Sequence, residues 1–119
     1  TEFGSDQQTP ILYQGTIYGV IPGGQMAALS LDGKVLWTSG ATRRYGLGPY
    51  LLTAGGLMYA LEDKTGTLTL AQVSPQQYQV LATAKVVPGP DAWAPIALAG
   101  GRMLLRDVTT MVCLDVAGR

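Results

Sequence analysis

The sequence predicts an all-β protein that forms part of a β-propeller, with two four-stranded antiparallel blades and an incomplete third blade. A β-unit begins three times, at Pro10, Pro49 and Pro95, each time as a short apolar strand, a glycine turn and a second apolar strand. The starts lie 39 and 46 residues apart, which suits one four-stranded blade per unit. The 16 glycines and seven prolines favour short strands and tight turns over helices.

The first blade is predicted over residues 9–48. Pro22-Gly-Gly24 and Asp32-Gly33 supply its turns, and Asp-Gly is a strong hairpin signal. Residues 1–8 are interpreted as an expression-tag remnant and linker, because Thr-Glu-Phe-Gly-Ser looks like a cloning leftover, and they are left out of the fold prediction. The predicted strands of this blade lie near 11–14, 16–21, 25–31 and 34–38.

The second blade is predicted over residues 49–94 and the third, incomplete blade over residues 95–119. The second has strands near 49–54, 57–61, 67–73 and 77–87, and the third near 95–99, 102–106 and 110–116. The third blade therefore lacks its outermost strand. Because an unpaired strand edge and an uncovered blade face both attract partners, we expect a protein partner or self-association into a homo-oligomer through the open edge.

The composition excludes several classes of function. Eight basic and eight acidic residues cancel, so no basic surface is available for nucleic acid. No apolar run reaches 18 residues, so no transmembrane segment is expected. Histidine, the commonest general base, is absent. The single cysteine, Cys113, alternates with Met111 and Asp115, so we expect it to be buried between sheets and inert.

Residues Ala28 to Trp37 resemble the repeat of PQQ-like, quinoprotein-type (BamB-like) β-propeller proteins. The resemblance implies that Trp37 stacks on the next blade, with Gly33 at the turn. The segment departs from the family pattern because Ser30 replaces the usual acidic residue and one residue is missing. The rest of the chain adds to the resemblance through Pro49 to Leu61, Gly66 to Leu70, Trp93 to Pro95, Gly101 to Arg106 and Val112 to Asp115.

The resemblance implies an exported bacterial protein, periplasmic in location, and a parent ring of several blades. Quinoprotein dehydrogenases of this superfamily need asparagine ligands for calcium, and this chain has no asparagine. Glu62-Asp63 is the only adjacent carboxylate pair, and a solvated hairpin end explains it better than a calcium loop, which needs more oxygen ligands. We therefore expect no bound cofactor and no metal.

Of three further groups of residues, the first two have two interpretations each. Arg43-Arg44-Tyr45 is either an interaction loop, since arginine and tyrosine are favoured at interfaces, or, as we favour, a solvated loop between blades. Trp93 is expected to dock blades, with ligand stacking as the alternative. Arg106-Asp107 is expected to form an exposed ion pair at the rim.

We therefore predict a non-enzymatic fragment of a bacterial PQQ-like propeller that acts as a binding or scaffold module for a protein or glycan. Strand addition to the open edge is the most concrete mode of interaction. The alternative is the C-terminal part of a PQQ-dependent quinoprotein dehydrogenase whose active site lies outside this fragment.

Overall fold

A computed structural model describes residues 3–4 and 6–118; Thr1, Glu2 and Ser5 of the predicted tag remnant and Arg119 of the predicted third blade lie outside the described residues. The described chain contains eleven strands and no helix. They form two four-stranded sheets and one three-stranded sheet, which confirms the predicted fold class. The strands are β1 Ile11–Tyr13, β2 Thr16–Val20, β3 Met26–Ser30, β4 Val35–Thr38, β5 Tyr50–Leu52, β6 Leu57–Leu61, β7 Thr67–Val73, β8 Tyr78–Lys85, β9 Ala97–Ala99, β10 Arg102–Arg106 and β11 Met111–Asp115.

Each sheet is a meander in which consecutive strands are antiparallel neighbours. Sheet 1 has the order β1-β2-β3-β4, sheet 2 the order β5-β6-β7-β8, and sheet 3 contains β9, β10 and β11 with β10 in the middle. The predicted strands near 49–54 and 95–99 are shorter in the structure and begin at Tyr50 and Ala97. Both follow a proline closely, and proline has no N–H to donate to the strand ladder.

The three sheets stack face to face, with sheet 2 in the middle. Two hydrophobic cores hold the stack, one on each face of sheet 2. Sheet 1 contributes to the first core and sheet 3 to the second. Such stacking is typical of consecutive propeller blades, because a single blade cannot bury its apolar faces alone. The first core contains Tyr18, Val20, Met26, Ala28, Tyr45, Tyr50, Met58, Ala60, Ala71 and Val73, and the second contains Leu61, Leu68, Val87, Ala92, Met103 and Leu105.

One end of the stack, which we call the loop rim, is tied together by backbone hydrogen bonds between connections of different sheets. Tyr45 N–H donates to the Gly24 carbonyl at 2.6 Å, Asp63 N–H donates to the Tyr45 carbonyl at 3.3 Å, and Ala92 N–H donates to the Asp63 carbonyl at 3.0 Å. The rim therefore positions its loops rigidly relative to one another. It comprises residues 21–25, 39–49, 62–66, 86–96 and 107–110.

The connection between sheets 1 and 2 lies directly against the backbone of β6. A methyl group added at Gly48 would overlap the carbonyl oxygen of Leu61, so this close approach requires glycine. Gln8, in the predicted tag-linker, also joins the rim, because its amide donates to the carbonyls of Leu47 and Trp93, both at 3.0 Å. The assignment of residues 1–8 to a tag stays a prediction.

Candidate functional site

A cluster of aromatic side chains lies at the junction between sheets 1 and 2. The Trp37 indole donates a 2.7 Å hydrogen bond to the carbonyl of Ser74, which follows β7 of the next sheet. Its ring centroid lies 5.9 Å from that of Tyr18 and 5.3 Å from that of Tyr78. The Tyr78 hydroxyl shares a hydrogen bond with the Tyr45 hydroxyl. Burial raises the pKa of Tyr78, and the hydrogen bond with Tyr45 raises it further. Trp37 thus joins sheet 1 to sheet 2, and its role as the docking residue of a PQQ-like repeat stays a prediction.

The other two predicted docking residues occupy different settings. Gly33 lies in the β3–β4 turn with φ of +85°, a conformation that favours glycine, and its N–H donates to the Ser30 carbonyl at 2.9 Å. Trp93 does not fit the predicted docking position, because its side chain is 39% exposed. Its neighbour Ala92 is fully buried in the second core instead. The linker therefore turns the small side chain inward and the large one outward.

The structure splits the predicted interaction loop into residues with different roles. Tyr45 is buried in the first core, so the favoured prediction of a solvated loop is wrong for this residue. The reason is that its ring fills the space between the sheets beside Tyr78. The Arg44 guanidinium is occupied by the carbonyls of Ala41 at 3.0 Å and Gly23 at 3.1 Å. Arg43 is exposed, and its side chain makes no hydrogen bond or ion pair with a described residue.

A polar cleft of about 450 Å³ separates this loop from sheet 2. Threonines dominate its lining, and two of them, Thr67 and Thr69, alternate along β7 and therefore share one face. Thr83 lies directly opposite Thr69 on β8, so the three side chains form a threonine patch, in which Thr69 is only 4% exposed. The lining residues are Ala41, Thr42, Arg43, Arg44, Tyr45, Glu62, Thr65, Thr67, Thr69 and Thr83.

The predicted solvated turn at Glu62-Asp63 is only half correct. Glu62 accepts hydrogen bonds from the N–H groups of Lys64 at 3.2 Å and Thr65 at 2.8 Å, so it closes the turn. Asp63 is buried, and its Oδ1 has no hydrogen-bond partner among the described residues. The backbone hydrogen bonds of Asp63 to two neighbouring connections hold it in the rim, and its carboxylate lies against Gly46.

Asp107 does not form the predicted exposed ion pair. Its side chain is buried and accepts hydrogen bonds from the N–H groups of Gly89 at 2.9 Å, Thr109 at 2.9 Å and Thr110 at 2.7 Å. The guanidinium of Arg106 instead donates to backbone carbonyls, including that of Asp107 at 2.9 Å. Burial by itself would raise the pKa of Asp107, but the backbone donors outweigh it and lower the pKa below its usual range. Asp107 thus joins the β8–β9 linker to sheet 3.

Sheet 3 leaves one face uncovered. Met103 and Leu105 point toward sheet 2 and are buried, whereas Leu104 between them is 42% exposed. Cys113 lies opposite Leu104 in the β10–β11 register, so it shares the uncovered face. The prediction that Cys113 is buried between sheets is wrong for this reason: the thiol is free and exposed. Met111, on the same face, is 66% exposed.

The outer edge of β11 carries backbone groups that no described strand pairs. Asp107 N–H donates to the Thr110 carbonyl, and Val116 N–H donates to the Gly101 carbonyl. Since hydrogen-bonded pairs alternate in an antiparallel ladder, even-numbered residues of β11 face β10. The N–H and C=O groups of Met111 and Cys113 therefore face away from the sheet.

β11 also differs from the outer strands of the other two sheets. The ladder between β3 and β4 is shifted at Ala28/Leu29, and that between β7 and β8 at Leu70/Ala71. Such irregularities make an edge less suitable for pairing. All five residue pairs of β10 and β11 are in a regular register.

Sequence reasoning missed three features of these surfaces. The threonine patch has a weak signal, since Thr65, Thr67 and Thr69 alternate. The Asp107 anchor has a better signal, because an aspartate two and three residues before the Thr109-Thr110 pair, just before a strand, is typical of a side-chain-capped turn. The orientation of the β11 edge could not be found without the register.

Comparisons with known proteins do not identify a relative. No protein-family model matches the chain, and no curated protein matches it. Within residues 3–4 and 6–118, no helix is long and apolar enough to cross a membrane. The same residues include no group of three or more histidine, cysteine, aspartate or glutamate side chains placed to hold a metal ion.

Proposed function

We propose that this chain is a non-enzymatic binding or scaffold module of the bacterial PQQ-like β-propeller type, exported from the cytoplasm, which accepts an extended protein segment along β11. The observation that carries the proposal is the regular outer edge of β11 beside the uncovered face of sheet 3. A partner strand would supply acceptors for the outward N–H groups, and its side chains would pack beside those of Met111 and Cys113 in the extended sheet.

The internal repeat indicates what kind of strand fits this edge. In sheets 1 and 2 a fourth strand, β4 or β8, lies beyond the third strand in antiparallel orientation. The equivalent position beyond β11 lies next to Met111 and Cys113. A segment with the character of β8, apolar and rich in β-forming residues, is therefore the expected partner, and it can come from a different protein or from a second copy.

The docking contact of Trp37 supports the propeller part of the proposal. Its indole hydrogen bond to Ser74 and its contact with Tyr78 join one sheet to the next, as the resemblance to PQQ-like repeats implies. A stack fixed in this way holds its rim loops and its edge strand in place, which is what a scaffold requires.

Binding of a labelled peptide tests the strand-addition mechanism. The peptide carries the sequence of β8, Tyr78–Lys85, and fluorescence anisotropy measures its binding, with a scrambled peptide as the control. Cys113→Pro removes one outward N–H without removing a bond to β10, a change that an edge strand tolerates. Cys113→Val keeps the N–H and is the matched control variant.

We expect the unchanged chain and Cys113→Val to bind the β8 peptide, and Cys113→Pro to bind at least tenfold more weakly. Equal binding by the two variants, or equal binding of the scrambled peptide, would reject strand addition. Circular dichroism melts of both variants establish that each is folded before the comparison is made.

A further inference from the structure

We propose that the cleft between the arginine loop and sheet 2 binds a small hydroxylated carboxylic acid of the sugar-acid class. In this arrangement the ligand carboxylate lies on the Arg43 guanidinium and the ligand hydroxyl groups lie on the threonine patch. The site is separate from β11 and does not depend on the strand-addition mechanism.

Arg43 supplies guanidinium donors in the cleft that no described residue engages. The guanidinium of Arg44 is engaged by two backbone carbonyls, and the carboxylate of Glu62 is engaged by the turn that it closes. The Arg43 side chain has no such partner among the described residues. A planar guanidinium with free donors is suited to bidentate recognition of a carboxylate.

The threonine patch supplies the second half of the recognition. Thr83 is exposed and lies directly opposite Thr69 across β7 and β8, whereas Thr69 itself is only 4% exposed and lies beneath the surface of the patch. Thr67 lies two residues away on the same face, about 7 Å along the strand. The ligand-facing hydroxyl groups are those of Thr83 and Thr67, and the Thr67 hydroxyl also accepts from the Thr65 hydroxyl at 2.9 Å. Each can still donate to a ligand oxygen, and residues placed diagonally on paired strands lie about 7–8 Å apart, so a ligand with several hydroxyl groups can contact both.

Other classes of ligand fit the cleft less well. Its volume of about 450 Å³ suits a small molecule. The ring of Tyr45 is only 2% exposed, so the cleft offers no aromatic platform for stacking a nucleobase or a neutral sugar. A neutral sugar would also leave the charge of Arg43 unused. The zero net charge of the chain argues against an extended polyanion.

Isothermal titration with glucuronate and galacturonate tests the site. Glucose lacks the carboxylate, acetate lacks the hydroxyl groups, and inorganic phosphate is an anion of a different shape. Arg43→Gln removes the charge, Arg43→Lys keeps the charge without the planar fork, and Thr83→Val removes one hydroxyl group. Lys34→Gln, in the exposed β3–β4 turn, is the control for loss of a cation elsewhere.

We expect at least one of the two sugar acids to bind with a Kd on the order of 1 mM. Arg43→Gln should weaken this binding tenfold or more, and Arg43→Lys and Thr83→Val severalfold, whereas Lys34→Gln should leave it unchanged. The absence of binding by both sugar acids would overturn the proposal. Equal affinity for glucose, acetate or phosphate, or an unchanged Kd in Arg43→Gln, would overturn it as well.

Discussion

Trp37 provides the most direct test of how the sheets are held together. Its ring contacts Tyr18 and Tyr78, and its indole N–H donates to the Ser74 carbonyl of sheet 2. Substitution by alanine removes both the packing and the hydrogen bond at the junction between two sheets. We therefore expect Trp37→Ala to lower the free energy of unfolding strongly.

The expected loss in the free energy of unfolding for Trp37→Ala follows from the buried area of the indole ring and from its hydrogen bond. A buried aromatic side chain hides about 150–250 Å², and the lower value applies because Trp37 is partly buried. At about 25 cal/mol per Å² this area is worth about 4 kcal/mol. Residual burial in the unfolded chain lowers that figure by about 10–40%, and the lost hydrogen bond adds about 1 kcal/mol. The expected loss is about 3–4 kcal/mol, a large part of the stability of a typical domain.

Urea denaturation followed by circular dichroism measures this loss, with two comparison variants. Trp37→Phe keeps most of the ring contacts but has no indole donor, so we expect a loss of about 1–2 kcal/mol. Trp93→Ala removes a more exposed ring, and we expect about 1 kcal/mol or less. A loss for Trp37→Ala that is no larger than that for Trp93→Ala would refute this account of sheet docking.

Three further predictions concern two residues of the loop rim, Asp107 and Gly48, and the response of the chain to PQQ. The pKa of Asp107 is lower in the folded state than in the unfolded chain, so the ionised carboxylate stabilises the fold. This stabilisation is complete at pH values above the ordinary pKa of about 3.9, and it is lost as the pH falls through the lower pKa of the folded state. The difference in Tm between the unchanged chain and Asp107→Asn should therefore shrink on acidification below about pH 4, and a constant difference would contradict this assignment. Gly48→Ala should lower the free energy of unfolding by at least about 3 kcal/mol, because its methyl group overlaps the Leu61 carbonyl oxygen. The control Gly40→Ala has open space around it and should cost only about 1–2 kcal/mol, because its backbone is left-handed. Equal losses for the two variants in urea denaturation would refute the close approach of Gly48 to Leu61. Incubation with PQQ and calcium should leave the absorbance spectrum of the chain unchanged, and a saturable shift would favour the dehydrogenase alternative.

The strands were predictable because their signals are local. Each predicted strand is found within a few residues of its expected position, since glycine and proline mark the turns and apolar residues alternate between them. The largest differences are at strand ends: β8 ends at Lys85, and the N–H groups of Val86 and Val87 donate to the Gly66 carbonyl rather than to the ladder.

Burial was less predictable because it depends on which face of a sheet meets a neighbour. Cys113 and Val112 are adjacent in an alternating strand, and only the stacking of sheet 3 on sheet 2 decides which of the two is exposed. The same holds for Asp63, which the sequence places in a polar turn and the rim hydrogen bonds bury. Asp107 was misassigned because the adjacent Arg106 suggested an ion pair, whereas the partners of its carboxylate are the backbone N–H groups of Gly89, Thr109 and Thr110.

The candidate binding surfaces were predictable only in part. The arginine loop was identified from its composition, but the separate roles of Arg43, Arg44 and Tyr45 depend on the position of the loop between two sheets. The threonine patch opposite the loop comes from a different blade, so no local pattern joins the two sides of the cleft.

Amide hydrogen exchange along β11 tests the central claim, that this strand presents a regular open edge. In the chain alone, we expect fast exchange at Met111 and Cys113 and slow exchange at Val112 and Leu114, whose N–H groups face β10. Addition of the β8 peptide should slow exchange at Cys113 and leave Leu114 unchanged. Equal protection of odd and even residues before the peptide is added, or no change at Cys113 afterwards, would contradict it.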